Sequence, residues 1–139
     1  MAVNGLTPLQ GWGIAVLRIA VGIVFLAHGG QKLFMVGFGG VAGFLGQLGI
    51  PAPMLAAVIV TLVEFLGGLA LLLGLFTRWA AIPLALNMAV AILTVHLPGG
   101  FFLPDGYEYA LTLLAANVAL ALLGSGEASV ERLLEKRKV

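Results

Sequence analysis

The chain has 139 residues, 61% of them hydrophobic and 9% charged, with a mean hydropathy of +1.13. Soluble domains carry about 25% charged residues, so this composition cannot coat a water-facing surface and describes one integral membrane domain. The net charge of +1 gives no reason to expect nucleic acid as a partner, and the absence of Cys excludes disulfides, Fe–S ligation and thiol chemistry within the chain.

In chain order, residues 1–10 form a short lead in which Thr7-Pro8 reads as an N-cap and first-turn pair. The first spanning segment, 11–28, is apolar apart from Arg18, and that arginine together with the missing basic n-region argues against a cleaved signal peptide. It ends in His28-Gly29-Gly30-Gln31-Lys32-Leu33-Phe34, whose polar groups suit the membrane interface and one further helical turn. Residues 37–53 are Gly-rich, yet Val41, Phe44, Leu45 and Leu48 recur at helical spacing, predicting a short interfacial or re-entrant helix. The second span, 52–76, is roughly 25 residues or about 37 Å as a helix, enough to cross a bilayer with some tilt. Glu64 lies in its middle. A tight turn at Thr77-Arg78 leads to the third span, 79–97, with Pro83 near its first turn and Pro98 past its end. After a loop, the fourth span occupies 107–123 and is stopped by Gly124-Ser125-Gly126. Residues 1–126 thus read as an all-α transmembrane four-helix bundle, and 127–139 as an exposed amphipathic tail with the basic tip Lys136-Arg137-Lys138.

Four spans place both termini on one side. Arg78 in the second-to-third turn and Arg132, Lys136, Arg137 and Lys138 in the tail share a face, which the positive-inside rule makes cytoplasmic. Asp105, Glu108 and Lys32 then lie on the other side.

A carboxylate in hydrocarbon costs on the order of 3 kcal/mol, so Glu64 needs a partner. Arg18, with its long stem, is the expected counter-ion, and Asn87 and Asn117 fall at comparable depth in the third and fourth spans. One polar residue per helix argues for polar groups turned inward. The same residues also suit a plainer role, fastening helices by interhelical hydrogen bonds at about 0.6–2 kcal/mol each.

Nearer the outside, His28, Lys32, His96 and Glu108, with Tyr107 and Tyr109, gather at one mouth. Helical phase limits this grouping. Arg18, Gly22, Phe25, Gly29 and Lys32 share a face, but Asn87 and His96 are nine positions apart, as are Glu108 and Asn117, which opposes them on regular helices. Two His suit axial haem ligation, yet no neighbouring haem signal is present. A metal site from His28, His96 and Glu108 lacks local ligand spacing, so no metal is assigned. Recognition of a carbonyl-bearing amphiphile such as a quinone fits better: His, Lys and Tyr donate to its oxygens while Glu relays a proton.

Several stretches together carry a family resemblance: Leu17-Arg18-Ile19, Phe25 to Leu33, Glu64-Phe65-Leu66-Gly67-Gly68, Leu72 to Arg78, Val95-His96-Leu97, Gly100-Phe101-Phe102 and Gly106 to Leu111. In this order they resemble the DoxX family of small four-helix bacterial membrane proteins. The resemblance implies an inner-membrane location and carries over Arg18, His28, Lys32, Glu64 and Arg78. Some relatives are associated with quinone-linked oxidoreductases, including thiosulfate:quinone and terminal quinol oxidase complexes, and others with resistance to thiols, quinones or oxidants.

The resulting expectation is a membrane protein that binds a quinone, or serves as the membrane subunit of a redox assembly. Glu64 and Arg18 would form an inner ion pair or proton relay; His28, Lys32, His96, Glu108, Asn87 and Asn117 would line the binding site. No flavin, nicotinamide, haem or cluster motif is encoded, so a redox role needs electrons from a partner subunit or bound substrate, and enzyme status stays open. The alternative is a non-catalytic structural or assembly subunit, as a homo-oligomer or within a larger complex. A transporter fits less well, because no inverted repeat is evident.

Overall fold

Among residues 5–138, which the computed structural model describes, every regular element is helical. Residues 1–4 of the lead and Val139 of the tail lie outside the described residues. Helix α1 spans Pro8–Gly30 and starts on a capping box: Thr7 Oγ1 accepts from the Gln10 N–H at 3.3 Å, and Gln10 Oε1 accepts from the Thr7 N–H at 2.8 Å. The helix does not stop at His28. It continues into a π-helical stretch, Gln31–Val36, and only then turns at Gly37 (φ 75°) into α2, Gly37–Gln47. After a turn, α3 covers Pro53–Leu73, and Gly74 and Phe76, both in the left-handed region, reverse the chain into α4, Thr77–Ala91. A second π stretch, Ile92–His96, and a 3-10 turn, Leu97–Gly99, extend α4. Helix α5 spans Glu108–Leu123 and α6 only Val130–Lys136.

Three of these helical stretches, Pro8–Gln47, Pro53–Leu73 and Thr77–Gly99, are long and apolar enough to cross a membrane; Glu108–Leu123 is apolar but shorter. Ile14, Val21 and Phe25 of α1 meet Leu71 of α3, Ala81, Leu84 and Met88 of α4, and Ala110, Leu113 and Leu120 of α5 in one core. Arg18, Thr61, Glu64 and Asn117 are buried, while Leu55, Leu66, Leu86 and Leu122 are exposed. Polar inside and apolar outside inverts the soluble pattern, as lipid requires.

Glycines set the register between α1 and α3. A Cβ on Gly29 would sit 2.3 Å from the Phe65 N, and one on Gly68 would sit 2.3 Å from the Leu26 N, so no side chain fits at either crossing. Gly22 likewise faces Leu72. This antiparallel register places Glu64 level with Gly29 and carries Arg18 beyond the last turn of α3. Eleven residues of helix separate those two levels, roughly 17 Å.

Candidate functional site

That separation overturns the expected Arg18–Glu64 pair. Arg18 has 0% exposure and gives every guanidinium N–H to a backbone carbonyl. Its Nε donates to the Ser125 carbonyl at 2.9 Å, and Nη1 to the Leu71 and Leu72 carbonyls at 2.5 and 3.0 Å. Nη2 donates to the Glu127 and Ala128 carbonyls at 3.3 and 2.9 Å. The cation thus caps the C-terminal end of α3, where carbonyls lack intrahelical partners. It also ties down the segment expected to begin an exposed tail. Ser129 is buried and caps α6, the Glu127 N–H donates to the Gly11 carbonyl at 3.0 Å, and Glu131 Oε1 accepts from the Thr77 N–H at 2.7 Å. Among the described residues the tail is exposed at Ala128 and then only from Leu133 onward.

Glu64 has other partners. Its Oε2 is 2.5 Å from the Lys32 Nζ and its Oε1 accepts from the Asn87 Nδ2 at 2.9 Å, joining the π stretch after α1 to α3 and α4. The carboxylate is 4% exposed.

This triad lies in the wall of a cavity of about 370 Å³, within the range of about 300–1,000 Å³ typical of small-molecule sites. His28, Lys32, Glu64, Asn87 and His96 all line it, among apolar side chains that include Phe25, Phe44, Val60 and Met88. Neither imidazole has a hydrogen-bond partner among the described residues. The π stretches explain how His96 and Asn87 share one wall. Bonding from i to i+5 packs more residues into a turn, so each residue advances less and His96 no longer opposes Asn87. Phe44 of α2, Val90 of α4 and Tyr109 of α5 line the cavity at 49%, 53% and 43% exposure, so the wall runs out sideways onto the apolar surface.

Two expected site residues lie elsewhere. Glu108 Oε1 accepts from the Leu103 N–H at 2.7 Å and shapes the loop before α5. Asn117 is fully buried but donates to the Leu113 carbonyl of its own helix at 2.8 Å, outside the cavity lining. Nor do three His, Asp or Glu side chains converge as a metal site among the described residues. Sequence reading missed the α2 wall, Val41, Phe44 and Leu45, although their helical spacing marked an apolar face. It also missed Lys32 as the partner of Glu64, and pairing Gly22 and Gly29 with Gly68 would have found it.

The DoxX family profile matches residues 13–97, more than half of the chain. The chain belongs to the DoxX family. A relative from Bacillus subtilis named "Putative oxidoreductase CatD" is 35% identical over 81% of this chain and 80% of its own length. "Inner membrane protein YqjF" of Escherichia coli is 34% identical over 93% of this DoxX protein and 97% of its own length. An uncharacterized membrane protein of Mycobacterium tuberculosis is 36% identical over 87% and 80% respectively. No solved structure matches the chain.

Proposed function

We propose that this DoxX protein is a bacterial inner-membrane protein whose side cavity binds a quinone-like amphiphile entering from the bilayer. The observation that carries this reading is a hydrogen-bonded Lys32–Glu64–Asn87 triad at the inner wall of an apolar cavity whose outer wall merges with the lipid-facing surface. A polar solute would have to cross that apolar rim, whereas a lipid-soluble ring reaches it by lateral diffusion. The Lys32 ammonium and the unpartnered His28 and His96 rings supply donors for carbonyl oxygens. Glu64, bonded to Lys32, is placed to exchange a proton with a ring oxygen. Reduction of such a ring also needs electrons, which a partner subunit or second substrate would bring. The Bacillus subtilis relative's name, "Putative oxidoreductase CatD", agrees with such an assembly.

In this reading α1, α3, α4 and α5 all cross the bilayer, with both termini and the α3–α4 turn in the cytoplasm and α2 near the opposite interface. Helix α5, at 16 residues, is about 24 Å long, so its flanking loops and local bilayer thinning complete the crossing. Because the chain has no Cys, a single cysteine introduced at Phe102 or at Lys138 gives a clean test. Labelling by an impermeant maleimide from the periplasmic side at Phe102 alone is the expected result; labelling at Lys138 instead reverses the topology.

Binding is tested by native mass spectrometry of protein extracted in mild detergent from quinone-containing membranes. Wild type should retain quinone, and His28→Ala and Glu64→Gln should each retain about tenfold less while staying folded with a melting temperature near that of wild type. Equal retention in both variants would remove the binding reading. A second reading rests on the triad joining three helices: it is a fastening in a structural subunit. That reading expects Glu64→Gln to lower the melting temperature, with no quinone in the wild type.

A further inference from the structure

At the opposite end of the molecule a second cavity, of about 470 Å³, is lined by Phe76, Arg78, Trp79 and Ile82 at the start of α4, Ala121 of α5 and Glu131 of α6. It shares no residue with the first. Phe76 and Trp79 are 64% and 75% exposed, and with Ile82 they make an apolar strip leading away from the guanidinium. Arg78 Nε is closed off from solvent and has no acceptor among the described residues. With Nε shielded, the donors open to a ligand are those on the two Nη atoms, which have no acceptor among the described residues either. Glu131, the acidic group in the wall, accepts from the Thr77 N–H at 2.7 Å through Oε1, and no hydrogen bond or ion pair joins it to Arg78 among the described residues.

We propose that this groove binds the phosphodiester headgroup of an anionic phospholipid. Arg78 donates to the phosphate oxygens, and Phe76, Trp79 and Ile82 cover the first carbons of the acyl chains. Arg recognises phosphate by fixed, charge-assisted donors. The apolar strip beside it is what distinguishes a lipid from free phosphate, and Trp belongs at headgroup level. Arg132, Lys136, Arg137 and Lys138 of the neighbouring α6 segment attract anionic lipid to this same end.

The test is native mass spectrometry of the full chain with added phosphatidylglycerol or phosphatidylcholine. Wild type should hold phosphatidylglycerol about tenfold more strongly than phosphatidylcholine. Arg78→Gln should abolish that preference, while Arg137→Gln, at the exposed basic tip, should leave it within about twofold. Should Arg78→Gln fail to fold, Ala121→Phe carries the test: it fills the groove, leaves Arg78 in place and should remove the preference equally. The proposal is overturned by a wild type that binds the two lipids alike, or by a preference that survives in the folded groove variants. It is also overturned by an Arg137→Gln loss as large as that of Arg78→Gln, which would mean diffuse charge. Displacement of the lipid by millimolar inorganic phosphate would mean a bare anion site and overturn it too.

Discussion

Arg18 and Glu64 are both charged, both buried and both in apolar helices, yet the protein treats them in opposite ways. Around Arg18 all donors end on main-chain carbonyls from the end of α3 and the α5–α6 connection, and Arg18 lines neither of the two cavities described above. Around Glu64 the partners are side chains, Lys32 and Asn87, which can turn, and open space lies beside them. A charge sealed by backbone holds a fold together; a charge held by movable side chains at a cavity is available to a ligand. The burial of a charge therefore says less about its role than what satisfies it and whether a ligand can reach it.

Removing each charge tests that contrast. Arg18→Ala should have the largest effect, because it strands several buried carbonyls at once, each costing about 1–3 kcal/mol. Loss of folded protein in detergent, or a melting temperature lowered far enough to match about 3 kcal/mol or more, is the expected outcome. A variant that melts like wild type would show that this end of the fold does not depend on the cation.

Next in size is Gly68→Leu, which puts a side chain where Leu26 backbone now sits at 2.3 Å. Forcing α1 and α3 apart should cost about 1–3 kcal/mol or more and should also weaken ligand retention, since Lys32 would slip relative to Glu64. Retained binding with lowered stability would separate the register from the site.

Glu64→Gln should be milder, about 1 kcal/mol, because the amide oxygen still accepts a hydrogen bond. It removes an ion pair whose Lys32 side chain is 27% exposed and leaves Asn87 a neutral partner. Its main effect should be on bound quinone, so the two readouts, melting temperature and retention, diverge here and coincide for Arg18→Ala.

Ser129→Ala is the smallest probe. It deletes the oxygen that accepts from the Arg132 N–H at 3.2 Å and caps α6, and should cost about 0.5 kcal/mol, the low end for a cap on so short a helix. Faster hydrogen exchange confined to α6, with retention of quinone unchanged, is the expected signature. Loss of quinone in this variant would mean that the two ends are coupled.

Much of the frame was readable beforehand. Apolar runs bounded by Gly, Pro and polar clusters gave the helices to within a few residues, because lipid forces the backbone to bond within each segment. The sequence reading also chose His28, Lys32, Glu64, Asn87 and His96, and the structure places these five in one wall. It misjudged the length of α1, since nothing in Gln31–Val36 announces a π stretch, and it misjudged the tail, since Glu127 and Ala128 look like ordinary surface residues until Arg18 reaches their carbonyls.

Composition and hydropathy by themselves determined that the protein lives in lipid, that it is helical, and that its few polar side chains must find company. Which company they find was decided only by tertiary structure. Three glycines fix how far α1 slides along α3, which sets Lys32 against Glu64, and a widened turn after α4 brings His96 into the same cavity lining as Asn87. A slide of a few residues or a quarter-turn changes no local propensity but moves a charge by many ångströms, so those choices are made by packing and are written in no single segment.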